Sequence, residues 1–157
     1  MTQEERKELI IALCGYLPYK CKGKYEIVRR LESETKIERF DDELDSNVLD
    51  YDFEHENFIP YLRSLKNMTE EEAMKIFGLV LGDREILSVS VKQDGIEADV
   101  DDGVSSSEKT WIFYEDIVSS IEILDYLNER HLDYRMLIQR GLAEEAPEWM
   151  YNSTTEQ

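Results

Sequence analysis

Cysteine is scarce: Cys14 and Cys21 are the only two in 157 residues, too few for the disulfide framework of a small secreted scaffold. Cys14 sits in an apolar helical run and reads as a small hydrophobe. Long apolar runs are missing as well. Leu9–Cys14 ends at Gly15 after six residues, against about 20 needed to cross a bilayer. A secretory signal needs an apolar stretch of roughly 7–15 residues behind a basic start, and Thr2–Glu8 is mixed in charge. Free thiols and no signal make a reducing cytoplasm the expected compartment.

Positive charge is short. Lys and Arg number 18 against 36 Asp and Glu, a formal net charge of -18. Residues 1–39 are slightly basic, with nine cations to seven carboxylates, whereas residues 40–157 carry nine against 29. Nucleic-acid binding rests on Lys and Arg displacing counterions, so no direct nucleic-acid partner is expected, and anionic membranes are excluded on the same ground. The sequence has no phosphate loop, dinucleotide fingerprint, nucleophile elbow or zincin helix. A zinc site would have to assemble Cys14, Cys21, His55 and His131 without the local pair spacing of structural sites. Neither a metal nor a cofactor is expected.

What is present suffices for a core. Nine Tyr, five Phe and two Trp within 41% hydrophobic residues argue against disorder. The length fits one domain, residues 1–152, followed by a frayed tail, 153–157. Thr2 and Glu5 form a capping box for a helix over 3–16, with Leu9, Leu13, Leu17, Ile10 and Cys14 on its apolar face. Strands are predicted over 24–31, 36–40 and 48–53 from alternation. Residues 58–65, which include Pro60, are predicted as an irregular or 3₁₀ turn. Thr69 and Glu72 open a second helix that runs to Gly82, with Ala73, Ile76, Phe77 and Val80 inward. Leu87, Val89 and Val91 then share a strand face, Asp94-Gly95 signals a hairpin, and Ile96, Ala98 and Val100 return. After a polar loop over 101–109, a strand over 110–114 leads into a helix to about Arg130, with Ile117, Ile121, Leu124 and Leu127 on its apolar stripe. The expected class is α+β: an antiparallel or mixed sheet of four to six strands with helices on one face.

A short terminal helix over 134–140 completes the prediction. Asp133 serves as its N-cap, Gly141 as its left-handed stop with Leu142 over Leu137, and Pro147 prevents resumption. The run Leu127-Asn128, His131, Asp133-Tyr134-Arg135, Leu137-Ile138, Gly141-Leu142-Ala143, Glu145-Ala146-Pro147 and Met150-Tyr151 resembles the C-terminal signature of small uncharacterised proteins encoded by phages and integrated elements of gut anaerobic bacteria. Leu17-Pro18-Tyr19 and Ile59-Pro60-Tyr61-Leu62-Arg63 add shorter matches, so that about a quarter of the chain is covered. The resemblance implies a mobile-element origin in a bacterial cytoplasm and carries over no catalytic residue.

Three constellations could bear function. The first is the acidic run Asp41, Asp42, Glu43, Asp45, Asp50, Asp52, Glu54 and Glu56. As a calcium loop it would start at Asp41, but Ser46 stands where glycine makes the turn and Asp52 where a bidentate glutamate belongs. As a binding surface, such carboxylates could hold a protein partner or imitate the charge of DNA, which carries about one charge per 1.7 Å of axis. The second is Trp149 and Tyr151, a candidate partner patch beyond Pro147. The third is His131, Asp133 and Arg135, the alternative site for a small enzyme or ligand-binding module, although a two-residue spacing does not aim the three side chains at one point. The expectation is a protein-binding module with an acidic surface, in its sharpest form an inhibitor of a host DNA-binding or defence protein.

Overall fold

The computed structural model describes residues 1–30, 32–45, 56–104 and 106–151 and is α+β, with three α-helices and two sheets. The strands divide between a four-stranded mixed sheet and a three-stranded antiparallel one. The chain forms two compact units. One comprises Met1–Leu62, Asn128–His131 and Arg135–Gln157, the other Arg63–Leu127 and Leu132–Tyr134.

In the first unit the Thr2/Glu5 capping box opens α1, Gln3–Tyr16. Leu9, Ala12, Leu13 and Tyr16 are its buried positions, the i, i+3, i+4, i+7 stripe of an amphipathic helix. The predicted face was centred one residue away, and Cys14 is exposed. Strand β1, Lys22–Arg30, pairs antiparallel with β2, Thr35–Glu43, on one side and with β3, Glu56–Leu62, on the other. The predicted strand over 48–53 lies outside the described residues. β3 replaces the irregular turn expected around Pro60. Proline lacks an N–H and is tolerated where one side of a strand is unpaired. Pro60 lies opposite Gly23 of β1, while the parallel pairing of Tyr61 and Leu62 with β7, Glu144–Glu145, begins one residue later. A side chain at Gly23 would overlap the Phe58 ring and the Ile59 carbonyl oxygen.

The predicted terminal helix does not form. Met136 has φ 57, which interrupts the right-handed run, and only one i→i−4 bond follows, from the Arg140 N–H to the Met136 carbonyl at 3.2 Å, before Gly141 ends the turn. The stop is nevertheless in place. Gly141, at φ 71, donates to the Ile138 carbonyl at 3.1 Å, and the Leu142 N–H to the Leu137 carbonyl at 2.9 Å, the paired bonds of a Schellman motif.

In the second unit α2, Glu70–Leu81, starts at the Thr69/Glu72 capping box and stops at Gly82, with Ala73, Ile76 and Phe77 buried and Val80 exposed. Strands β4, Ile86–Val91, β5, Gly95–Asp101, and β6, Ser107–Phe113, form a meander with β5 central. Ile96, Ala98 and Val100 are buried in the core with Leu65, Ile76, Phe77, Ile117, Ile123, Leu127 and Leu132. A bulge between Ile86 and Ser88 alters the predicted β4 face: Ile86, Val89 and Val91 pack on the core, whereas Leu87 is exposed. The hairpin turn is centred on Gln93-Asp94, because the Lys92 N–H donates to the Gly95 carbonyl at 2.8 Å. Gly95 serves close approach instead, since a Cβ there would overlap the Ile112 carbonyl oxygen and stand 2.9 Å from Trp111 Nε1. The last helix, α3, spans Ile121–Glu129 and begins later than predicted. Ser120 Oγ accepts from the Ile123 N–H at 3.2 Å, acting as an N-cap. That start turns Ile123 and Leu127 inward and leaves Ile121 80% exposed.

Candidate functional site

Asp41, Asp42 and Glu43 are the last residues of β2, and Asp45 follows; all four are exposed. Positions 1 and 3 of the calcium loop therefore lie on an extended strand, where they cannot wrap a cation as a loop does, and its positions from Ser46 onward lie outside the described residues. Asp41 lies directly across from Lys24, and Glu43 from Lys22, cross-strand pairs of opposite sign. Asp41 also accepts the Tyr61 hydroxyl proton at 2.9 Å. Burial first, and then that hydrogen bond, hold the Tyr61 pKa above its ordinary value. Asp50, Asp52 and Glu54 lie outside the described residues, and Glu56 begins β3 opposite Ile27. The same face of the four-stranded sheet carries the ion pairs Lys24–Glu144 at 2.7 Å and Arg39–Glu26 at 2.8 Å. Beside them lies an open depression bordered by Lys24, Glu26, Arg39, Asp41 and Glu144. Two cations stand among its three carboxylates, and the acidic run does not form a continuous negative patch there.

His131 is only 8% exposed. Its Nε2 is 2.8 Å from the Tyr19 carbonyl oxygen, which can only accept, so that nitrogen carries a proton. Its ring stacks on Tyr151, with centroids 4.0 Å apart and planes 10° from parallel. Tyr151 is correspondingly engaged in the fold. Its hydroxyl accepts from the Lys22 N–H at 3.0 Å and donates to the Tyr61 carbonyl at 2.9 Å, so the ring fastens the C-terminal segment to β1 and β3. Burial raises the Tyr151 pKa above the ordinary tyrosine value, with the neighbouring Cys21 adding to the rise. Burial likewise pushes the Cys21 thiol up to about 12, opposed only by the Tyr151 hydrogen bond, and a thiol that stays protonated is a poor nucleophile.

The remaining members of the alternative site divide between the two units. Asp133 is buried in the second unit, where its N–H donates to the Arg63 carbonyl at 2.8 Å, and it caps no helix. Arg135 borders a shallow depression of the first unit with Glu8, Leu137 and Arg140. His131 and Asp133 are both buried, which keeps either side chain from lying open to a substrate. Among the described residues, no three His, Cys, Asp or Glu side chains converge as a metal requires. Trp149, by contrast, is 73% exposed in the turn that follows Pro147.

One surface escaped the sequence reading. Since Ile96, Ala98 and Val100 of β5 face the core, Glu97 and Asp99 face outward. Their β6 neighbours are Trp111 and Lys109, and Gly95 lies beside Phe113. Trp111 and Phe113 are 39% and 50% exposed, with ring centroids 5.8 Å apart. Both parities of Thr110–Phe113 offer apolar side chains, so alternation alone does not identify the inward set. The half-buried Ile112 takes the core side.

No helix among the described residues is long and apolar enough to cross a membrane. No protein-family model, curated protein or solved structure matches this chain.

Proposed function

We propose that the chain is a protein-interaction module whose partner presents a basic surface, held by carboxylates that the chain's own cations leave unneutralised. The charge balance of the second unit carries this reading: sixteen Asp and Glu stand against six Lys and Arg. Six cations cannot neutralise sixteen carboxylates, and Glu70, Glu71, Glu115, Asp116 and Glu122 are exposed. Such an excess produces a field that speeds encounter with a cationic partner and repels nucleic acid. The first unit contributes less, because Asp41 and Glu43 lie across from lysines.

The mobile-element resemblance narrows the partner to a host DNA-binding or defence protein, which must itself carry a cationic face. The burial of His131, its engaged Nε2 and its stacked ring weigh against the enzymatic alternative. The test is titration against a panel of nucleases and DNA-binding proteins at about 50 mM and about 500 mM salt, concentrations chosen to span weak and strong screening. Complexes are expected at low salt, weakened at high salt and displaced by duplex DNA. Absence of any complex at both salt concentrations ends the reading.

A further inference from the structure

The outer face of the three-stranded sheet combines features that a strand-like ligand could use. β6 is an edge strand, paired only with β5 among the described residues, and an edge presents backbone N–H and C=O groups along its open side. On its outward side Trp111 and Phe113 alternate two residues apart and remain exposed, a spacing of about 6.7 Å along the strand. Trp111 lies against Gly95 of the neighbouring strand, where a Cβ would come within 2.9 Å of the indole nitrogen, so the indole sits low on the sheet. Glu97 is directly beside Trp111, and Asp99 one pair further along. Lys109 and Lys92 approach Glu97 at 3.1 Å and 3.7 Å, while Asp99 accepts from Ser88 at 3.0 Å. The face is thus aromatic, with carboxylates that Lys92 and Lys109 partly neutralise, within a unit whose carboxylates outnumber its cations.

We propose that this face docks an extended, arginine-rich segment of the partner protein, its backbone pairing along β6 and its guanidinium groups lying over Trp111 and Phe113 beside Glu97 and Asp99. Strand addition supplies sequence-independent backbone bonds, and the alternate side chains supply selectivity. Arginine suits both halves of the face, since its planar cation stacks on aromatic rings and bonds carboxylates. The assignment rests on the preceding reading that the partner is basic.

The experiment uses the full chain and two fluorescein-labelled octapeptides, one alternating Arg with Val and one alternating Glu with Val, followed by fluorescence anisotropy at low salt. The Arg–Val peptide is expected to bind saturably and the Glu–Val peptide not at all. Phe113→Ser and Asp99→Lys should each weaken binding about tenfold or more, as loss of a central aromatic or charge anchor does. Phe113→Tyr should retain binding, and Glu122→Gln, on α3, should change it less than about twofold. Melting curves report whether each variant is folded, and Asp99→Lys and Phe113→Tyr keep the test decisive if Phe113→Ser is not. Undiminished binding by Asp99→Lys and Phe113→Ser, with loss in Glu122→Gln, overturns the face and leaves the basic-partner reading standing. Failure of the parent chain to bind the Arg–Val peptide, or equal binding of the Glu–Val peptide, overturns both.

Discussion

Arg63 and Glu72 form the most enclosed ion pair described in the molecule. The guanidinium meets the carboxylate in a fork, at 2.6 Å and 2.9 Å, and also reaches the Asn67 carbonyl at 3.3 Å. The same carboxylate accepts the Thr69 N–H at 2.9 Å, so one side chain both caps α2 and neutralises the cation. Removing a single partner leaves a buried charge without compensation. Arg63→Met should therefore cost about 3–5 kcal/mol in urea denaturation, whereas replacing both partners with apolar residues should recover most of that loss. Tyr114 links stability to alkaline pH. Its hydroxyl donates to the Lys92 carbonyl at 2.7 Å, and burial, assisted by Asp94, pushes its pKa up to about 12 from an ordinary 10.0. A raised folded-state pKa contributes stability that is complete below the unfolded value and disappears as pH climbs through the folded one. Unfolding free energy should hence fall between pH 10 and about 12, and Tyr114→Phe should flatten that fall while costing about 1 kcal/mol at neutral pH.

At the scale of elements, Gly23 sets the approach of β1 to β3. Because the Ile59 carbonyl oxygen that a Cβ would strike belongs to the backbone, the strands must separate to admit it. Gly23→Ala should lower stability by about 1–3 kcal/mol, read as a lower melting temperature. The capping boxes of α1 and α2, the α2 stop at Gly82 and the alternation of Ile96, Ala98 and Val100 were legible because each is a local rule with its residues written side by side. β3 and β7 were not legible. Pro60 suggested a break until the strand order left its second side open at that position, and a two-residue parallel strand has no period to detect. The bulge at Leu87 and the late start of α3 at Ser120 failed for a related reason: a shift of one or a few residues changes which side chains face inward while leaving composition untouched. Met136, at φ 57, prevents the terminal helix through a backbone choice that side-chain patterning does not report.

At the scale of the whole molecule, charge count was legible and charge placement was not. The acidic run from Asp41 drew attention because its carboxylates are consecutive, yet β2 lays Asp41 and Glu43 across from lysines seventeen and more residues earlier in the chain. The exposed aromatic pair on β6 stood in a predicted strand whose alternation did not single out an outward side. Chain order has a separate effect. The first unit is assembled from segments that precede and follow most of the second in chain order, and its sheet is completed by Glu144–Glu145 and fastened by Tyr151. A ribosome delivers these residues well after β1, β2 and β3, at about 5–20 residues per second. Nascent protein therefore waits with one margin of β3 open, and closure of that sheet belongs to amino acids made long after the strand they join.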